Sequence, residues 1–220
     1  MKLSLLSTAG LAAASAITKP LSRRQEEPDT WLEITKIVPS GTACPPETYT
    51  IDISEQDPMV PNLSVFTLGF DRALFGSDSR ALLASSKCTV VVSVRYPGPG
   101  CPSATWQMTT EGYYGAYGGA FATVNRRYHG TSDPLSATDA GMAMFAGGGD
   151  EFIKSSLFTL QDTVLDQPKL ARNSKMDQTM TIELELGAFA EDRTGMDETF
   201  MSVQSFTTRI RLDSYDPDCQ

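Results

Sequence analysis

From Tyr49 onward, apolar and polar residues alternate. Tyr49, Ile51 and Ile53 are separated by Thr50, Asp52 and Ser54. Phe66, Leu68 and Phe70 are spaced by Thr67 and Gly69, and Cys88, Val90, Val92, Val94 and Tyr96 by Thr89, Val91, Ser93 and Arg95. A period of two sends successive side chains to opposite faces of a strand, so each run predicts a half-buried strand. Trp106, Met108 and Thr110 begin another, Phe121 to Tyr128 forms the next, and Leu157, Phe158 and Leu160 mark a further one. Two more close the chain. In one, Ile182, Leu184 and Leu186 alternate with Thr181, Glu183 and Glu185; in the other, Phe206, Ile210 and Leu212 stand opposite Arg209 and Arg211.

The punctuation between these runs is rich in Pro and Gly. Pro97-Gly98-Pro99-Gly100 breaks the chain sharply, and Gly112-Tyr113-Tyr114-Gly115 predicts a turn after the Trp106 strand. Residues 129–151 read as a connection around a short apolar piece, Met142 to Ala146, and 166–178 as a polar connector. Residues 25–34 read as a loose polar arm. Only residues 72–84 hold a possible short helix, weakened by Gly76 and Asp78. Many turn-separated strands without intervening helices predict an all-β fold, an antiparallel β-sandwich. Residues 179–187 and 204–213 are predicted to be antiparallel neighbours. Glu183 and Glu185 would then meet Arg209 and Arg211 on the outer face, with Gly195 in the connecting loop.

The first 24 residues follow a different logic. A basic Met1-Lys2 start, an apolar and small-residue run from Leu3 to Ile17 and the small-x-small triplet Ala14-Ser15-Ala16 predict a signal peptide over residues 1–16. The run falls short of the ~20 apolar residues that a membrane span needs. Residues 17–24 read as a short pro-segment ending in the dibasic Arg23-Arg24, which leaves 25–220 as a single β-sandwich domain beginning at Gln25. The expected location is secreted and extracellular.

Processing sharpens the charge. It removes Lys2, Lys19, Arg23 and Arg24, four positive charges, and takes the formal net charge from −9 to −13. Such a surface repels polyanions, so neither nucleic acid nor an anionic membrane is an expected partner. The chain has four cysteines, Cys44, Cys88, Cys101 and Cys219. In a secreted chain an even count reads as two disulfides, and four cysteines allow three connectivities. Asn62-Leu63-Ser64 is an N-glycosylation sequon in a Pro-flanked stretch, which makes Asn62 the expected glycan acceptor.

Catalytic constellations are scarce. His129 is the only histidine, so any Ser-His-Asp or Cys-His arrangement must pass through it, and no Gly-x-Ser-x-Gly elbow accompanies it. With one histidine and no Cys-x-x-Cys, no metal or cofactor is expected. The acidic tail from Asp213 to Asp218 lacks the glycine and terminal glutamate of a calcium loop. Glu183 and Glu185 share a strand face about 7 Å apart, near the spacing of an inverting glycosidase pair. Glutamates alternating on the polar face of a strand are also what a solvated face looks like, and ion pairing with arginines explains them without catalysis. The strongest binding candidates are the aromatics Tyr113, Tyr114, Tyr117 and Phe121, with Trp106 nearby, which on a β surface can stack on sugar rings or dock a protein.

The signposts of this chain resemble a known family. Gly41-Thr42-Ala43-Cys44-Pro45 precedes a strand, and Lys87-Cys88 opens a strand ending in Tyr96-Pro97-Gly98. Trp106-Gln107, Gly112-Tyr113, Phe145-Ala146-Gly147 and a Thr208-to-Leu212 strand follow in order. This series resembles a family of fungal secreted proteins catalogued as domain of unknown function 4360, over roughly Ile34 to Ser214. The resemblance implies a secreted, cysteine-bridged β domain with no established activity and no catalytic residue to carry over. It pairs Cys44 with Cys88, which leaves Cys101 and Cys219 to each other. It also implies a second cysteine pair in the C-terminal half, where this chain departs from the pattern. The expected function is therefore non-enzymatic binding of an extracellular glycan or protein, in a wall or host-interaction role. The alternative is a carboxylate-based extracellular hydrolase acting on glycans.

Overall fold

The computed structural model describes residues 32–54, 63–70, 76–78, 83–96, 101–116, 119–130, 141–146, 156–166, 178–189 and 199–216. These residues form eleven strands and no helix. In chain order the strands are β1 (Glu33–Ser40), β2 (Tyr49–Ser54), β3 (Leu63–Phe70), β4 (Gly76–Asp78), β5 (Leu83–Arg95), β6 (Cys101–Ala116), β7 (Phe121–Gly130), β8 (Met142–Ala146), β9 (Ser156–Asp166), β10 (Gln178–Phe189) and β11 (Thr199–Asp216).

They make two antiparallel sheets. The first runs β1-β5-β10-β7-β8 and the second β2-β3-β11-β6-β9, with β4 pairing β11 past the end of β3. The inner faces carry the predicted alternation. Val90, Val92, Val94, Ile182, Leu184 and Leu186 from the first sheet meet Phe66, Leu68, Trp106, Met108, Phe206 and Ile210 from the second. Removing one such side chain from water is worth roughly 2 kcal/mol, so this interface is the main source of stability.

The loop after β1 is held against the first sheet. The Ala43 amide donates to the Lys87 carbonyl at 3.0 Å and the Lys87 amide donates to Thr42 Oγ1 at 3.1 Å. Gly41 has φ +133°, and a Cβ there would stand 2.2 Å from the Lys87 carbonyl oxygen, so only glycine fits this approach. Cys44 and Cys88 are joined in a disulfide and fully buried. No described cysteine is free, and one bridge is seen where two were predicted; Cys219, the predicted partner of Cys101, lies outside the described residues.

Several expectations are corrected. The Gly112-Tyr113-Tyr114-Gly115 run does not turn but continues β6. Its glycines make room for other groups: a Cβ on Gly112 would stand 2.1 Å from the Ser202 carbonyl oxygen and 2.8 Å from the Phe158 ring, and one on Gly115 would stand 2.3 Å from the Phe200 ring. Leu32 is buried, and Glu33 and Ile34 already belong to β1, so the N-terminal arm ends earlier than expected. Within 72–84 the described residues are the strand β4 and the start of β5. The piece Met142–Ala146 is strand β8, hydrogen-bonded to β7.

The predicted pairing of 179–187 with 204–213 is wrong. β10 lies between β5 and β7 in the first sheet, and β11 between β3 and β6 in the second. Both flanks of each strand are already hydrogen-bonded, and the two strands face each other across the core rather than edge to edge. Glu183 and Glu185 therefore stand on one outer surface of the sandwich and Arg209 and Arg211 on the other.

Candidate functional site

The predicted binding aromatics divide. Trp106 is buried between the sheets, 1% exposed. Tyr113 is also buried and meets Phe200 edge-on, with centroids 6.1 Å apart. Neither can stack on a sugar from where it lies. Tyr114 points between the sheets and is half-buried, its ring 4.5 Å from that of Phe145, which in turn lies 5.1 Å from Phe158. Tyr117, Asn62 and the leader lie outside the described residues.

Of the two carboxylates, Glu183 is engaged by neighbouring basic groups. Lys87 Nζ donates to Glu183 Oε1 at 2.7 Å, and His129 Nε2 lies 4.0 Å from Glu183 Oε2. The Lys87 hydrogen bond holds the Glu183 carboxyl below the usual carboxylate range. A general acid in a glycosidase needs the opposite shift. Arg211 Nε donates to Asp213 Oδ1 at 2.7 Å, and Thr105 also donates to Asp213, so this acid of the tail is engaged within the second sheet. Among the described residues no group of acids, cysteines and histidine is arranged to hold a metal ion. Because the Lys87–Glu183 pair is part-exposed, Glu183→Gln is expected to cost only about 0.5–1 kcal/mol, read as a small drop in melting temperature that salt abolishes.

A polar cluster missed by sequence reasoning ties β9 of the second sheet to the first sheet. Asp162 on β9 accepts a 2.7 Å hydrogen bond from the Tyr128 hydroxyl of β7, and Arg126 Nη1 lies 3.1 Å from the same carboxylate oxygen. Four residues on, the Tyr96 hydroxyl donates to Asp166 at 2.8 Å. Burial and the facing carboxylates push both tyrosine hydroxyls well above their ordinary range, so they remain proton donors. Burial raises Asp162, although Tyr128 and Arg126 oppose it. The signal for this cluster was parity: Asp162 and Asp166 share the inward side of β9 with Phe158, Leu160 and Val164. Inward carboxylates on an outermost strand also discourage a further strand from pairing there.

Apolar side chains are exposed on both outer faces: Leu157 and Leu165 stand on the outward side of β9 in the second sheet, and the outer face of the first sheet carries aromatics as well as methionines. Phe121 of β7 and Phe189 of β10 are cross-strand partners whose rings stack at 4.6 Å and 14°. The Phe189 ring leans over Gly187, where a Cβ would come within 2.8 Å of it. On β8, alternation turns Phe145 inward and leaves Met142 and Met144 64% and 61% exposed. The register sets Met144 beside Thr123 and Met142 beside Asn125, and Asn125 beside Glu185. One end of this face is thus apolar and aromatic, and the adjoining row is polar and hydrogen-bonding. Periodicity predicted these strands but not which outer face would gather the aromatics.

Comparison with known proteins adds context. No curated protein matches the chain. Among solved structures, the enzymatically active domain of bacteriophage CBA120 tailspike protein 4 is 12% identical, with 77% of this chain and 19% of that one covered and a TM-score of 0.23. TmCBM61 in complex with β-1,4-galactotriose is 6% identical, with 73% and 88% covered and a TM-score of 0.22. A chain of infectious bursal disease virus, Gx strain, is 10% identical, with 84% and 34% covered and a TM-score of 0.27. This chain spans about a fifth of the tailspike domain and a third of the viral chain. These likenesses are too slight to carry an activity or a ligand across. The family model for a domain of unknown function, DUF4360, matches residues 31–215, and the chain belongs to that family.

Proposed function

We propose that this protein is a secreted, non-enzymatic binding module whose ligand is a neutral extracellular glycan. The observation that carries this reading is the outer face of the first sheet. A stacked Phe121–Phe189 pair and two exposed methionines lie beside Asn125 and Glu185. Apolar area for the sugar face next to hydrogen-bonding groups for its hydroxyls is the composition of a saccharide site. The neighbouring charges, Lys87, Arg127, Glu183 and Glu185, balance, which favours an uncharged ligand. Lys87 keeps Glu183 ionised, which weighs against its serving as the general acid of the hydrolase alternative.

The same reading includes a signal peptide over 1–16, a pro-segment over 17–24, one domain over 25–220, a glycan on Asn62 and a second bridge between Cys101 and Cys219. Intact mass of material secreted by a eukaryotic host is expected to place the start at Gln25, with a further mass removed by a glycosidase. A start at Ile17 would show that Arg23-Arg24 is not cut.

Function is tested by sedimenting the protein with insoluble neutral polysaccharides while assaying reducing ends. Retention without sugar release is expected. Sugar release that Glu183→Gln abolishes in a folded protein would establish the hydrolase instead.

A further inference from the structure

We propose that Met142 and Met144 form a modification site for hydrogen peroxide, at which both thioethers become sulfoxides while the sandwich stays folded. The two residues occupy alternate positions of β8, the last strand of the first sheet. They are 64% and 61% exposed, whereas Met108, Met180 and Met201 are between 0% and 1% exposed in the core. Reaction requires the peroxide to reach the sulfur. The sulfur lone pair attacks one peroxide oxygen, the O–O bond breaks, and the departing hydroxide takes up the proton to leave as water. Sulfur is oxidised by two electrons and the peroxide is reduced by two.

The strand tolerates this because its contribution to the core points the other way. Phe145 faces Tyr114 and Phe158 between the sheets, and neither methionine shares that side. Oxidation replaces two flexible apolar side chains with polar ones. The apolar end of the outer face beside Phe121 thereby becomes hydrophilic. The chemistry does not depend on what that face binds.

The test treats the folded full chain with hydrogen peroxide, quenches at intervals and maps the sulfoxides by peptide mass spectrometry. Met142 and Met144 are expected to gain one oxygen each about tenfold or more faster than Met108, Met180 and Met201, a gap that closes in denaturant. The melting curve of the doubly oxidised protein should overlay that of the untreated one. Equal rates at all five positions in the folded state would overturn the proposal. So would resistance of Met142 and Met144, or unfolding that accompanies their oxidation.

Discussion

Replacing Cys44 and Cys88 together by alanine is expected to destabilise the protein by about 4 kcal/mol, the chain-entropy value for a closed loop of this length. The two cysteines are 44 positions apart, and the bridge fixes the loop after β1 onto β5. In a chain of this size that loss lowers the melting midpoint by roughly 10 °C. Thr42→Ala, which removes one hydrogen bond to the same loop, should cost only about 1 kcal/mol. Denaturant titrations of the three proteins check both values. A double-alanine variant within about 1 kcal/mol of the parent would show that the hydrogen bonds, not the bridge, hold this loop.

Arg126→Met is expected to cost about 3 kcal/mol at neutral pH, because it strips a cation from a buried carboxylate. Arg126 and Asp162 have side chains only 8% and 10% exposed. The loss should depend on pH in a definite direction. In the parent, burial raises Asp162, so its contribution to stability is full at low pH and declines as pH rises through the folded pKa. Without Arg126 one of the two lowering influences is gone and the carboxyl rises further. The cost of the substitution is therefore smallest in acid, where Asp162 is protonated in both proteins, and grows toward neutrality. Stability curves at several pH values measure it. A cost independent of pH would mean that Arg126 contributes packing alone.

The strands were legible because burial on one face imposes a period of two, and runs such as Met180 to Leu186 of β10 show it without interruption. β1 was not, because the register shifts between Ile34 and Lys36 and breaks the alternation. Gly112 and Gly115 misled for a physical reason. Glycine marks either a turn or a place where something else fills the Cβ position, and sequence does not say which. The partner of β10 was misread because charge on an outer face does not identify the neighbouring strand. Lys87 satisfies Glu183 as well as an arginine of β11 would have. The candidate surface was the least legible part. Phe121 stands in the aromatic segment that the sequence singles out, yet Phe189, Met142 and Met144 join it only through the register of β8, β7 and β10.

The most direct test of the binding reading is polysaccharide retention by Phe121→Ala beside the parent protein, with melting temperatures measured on both. Loss of one aromatic contact of about 1.4 kcal/mol predicts a tenfold weaker retention of the variant, while its two sheets and the Cys44–Cys88 bridge stay intact. Equal retention by the two proteins, or no retention of the parent by any neutral polysaccharide, would contradict the assignment of this face as a glycan site.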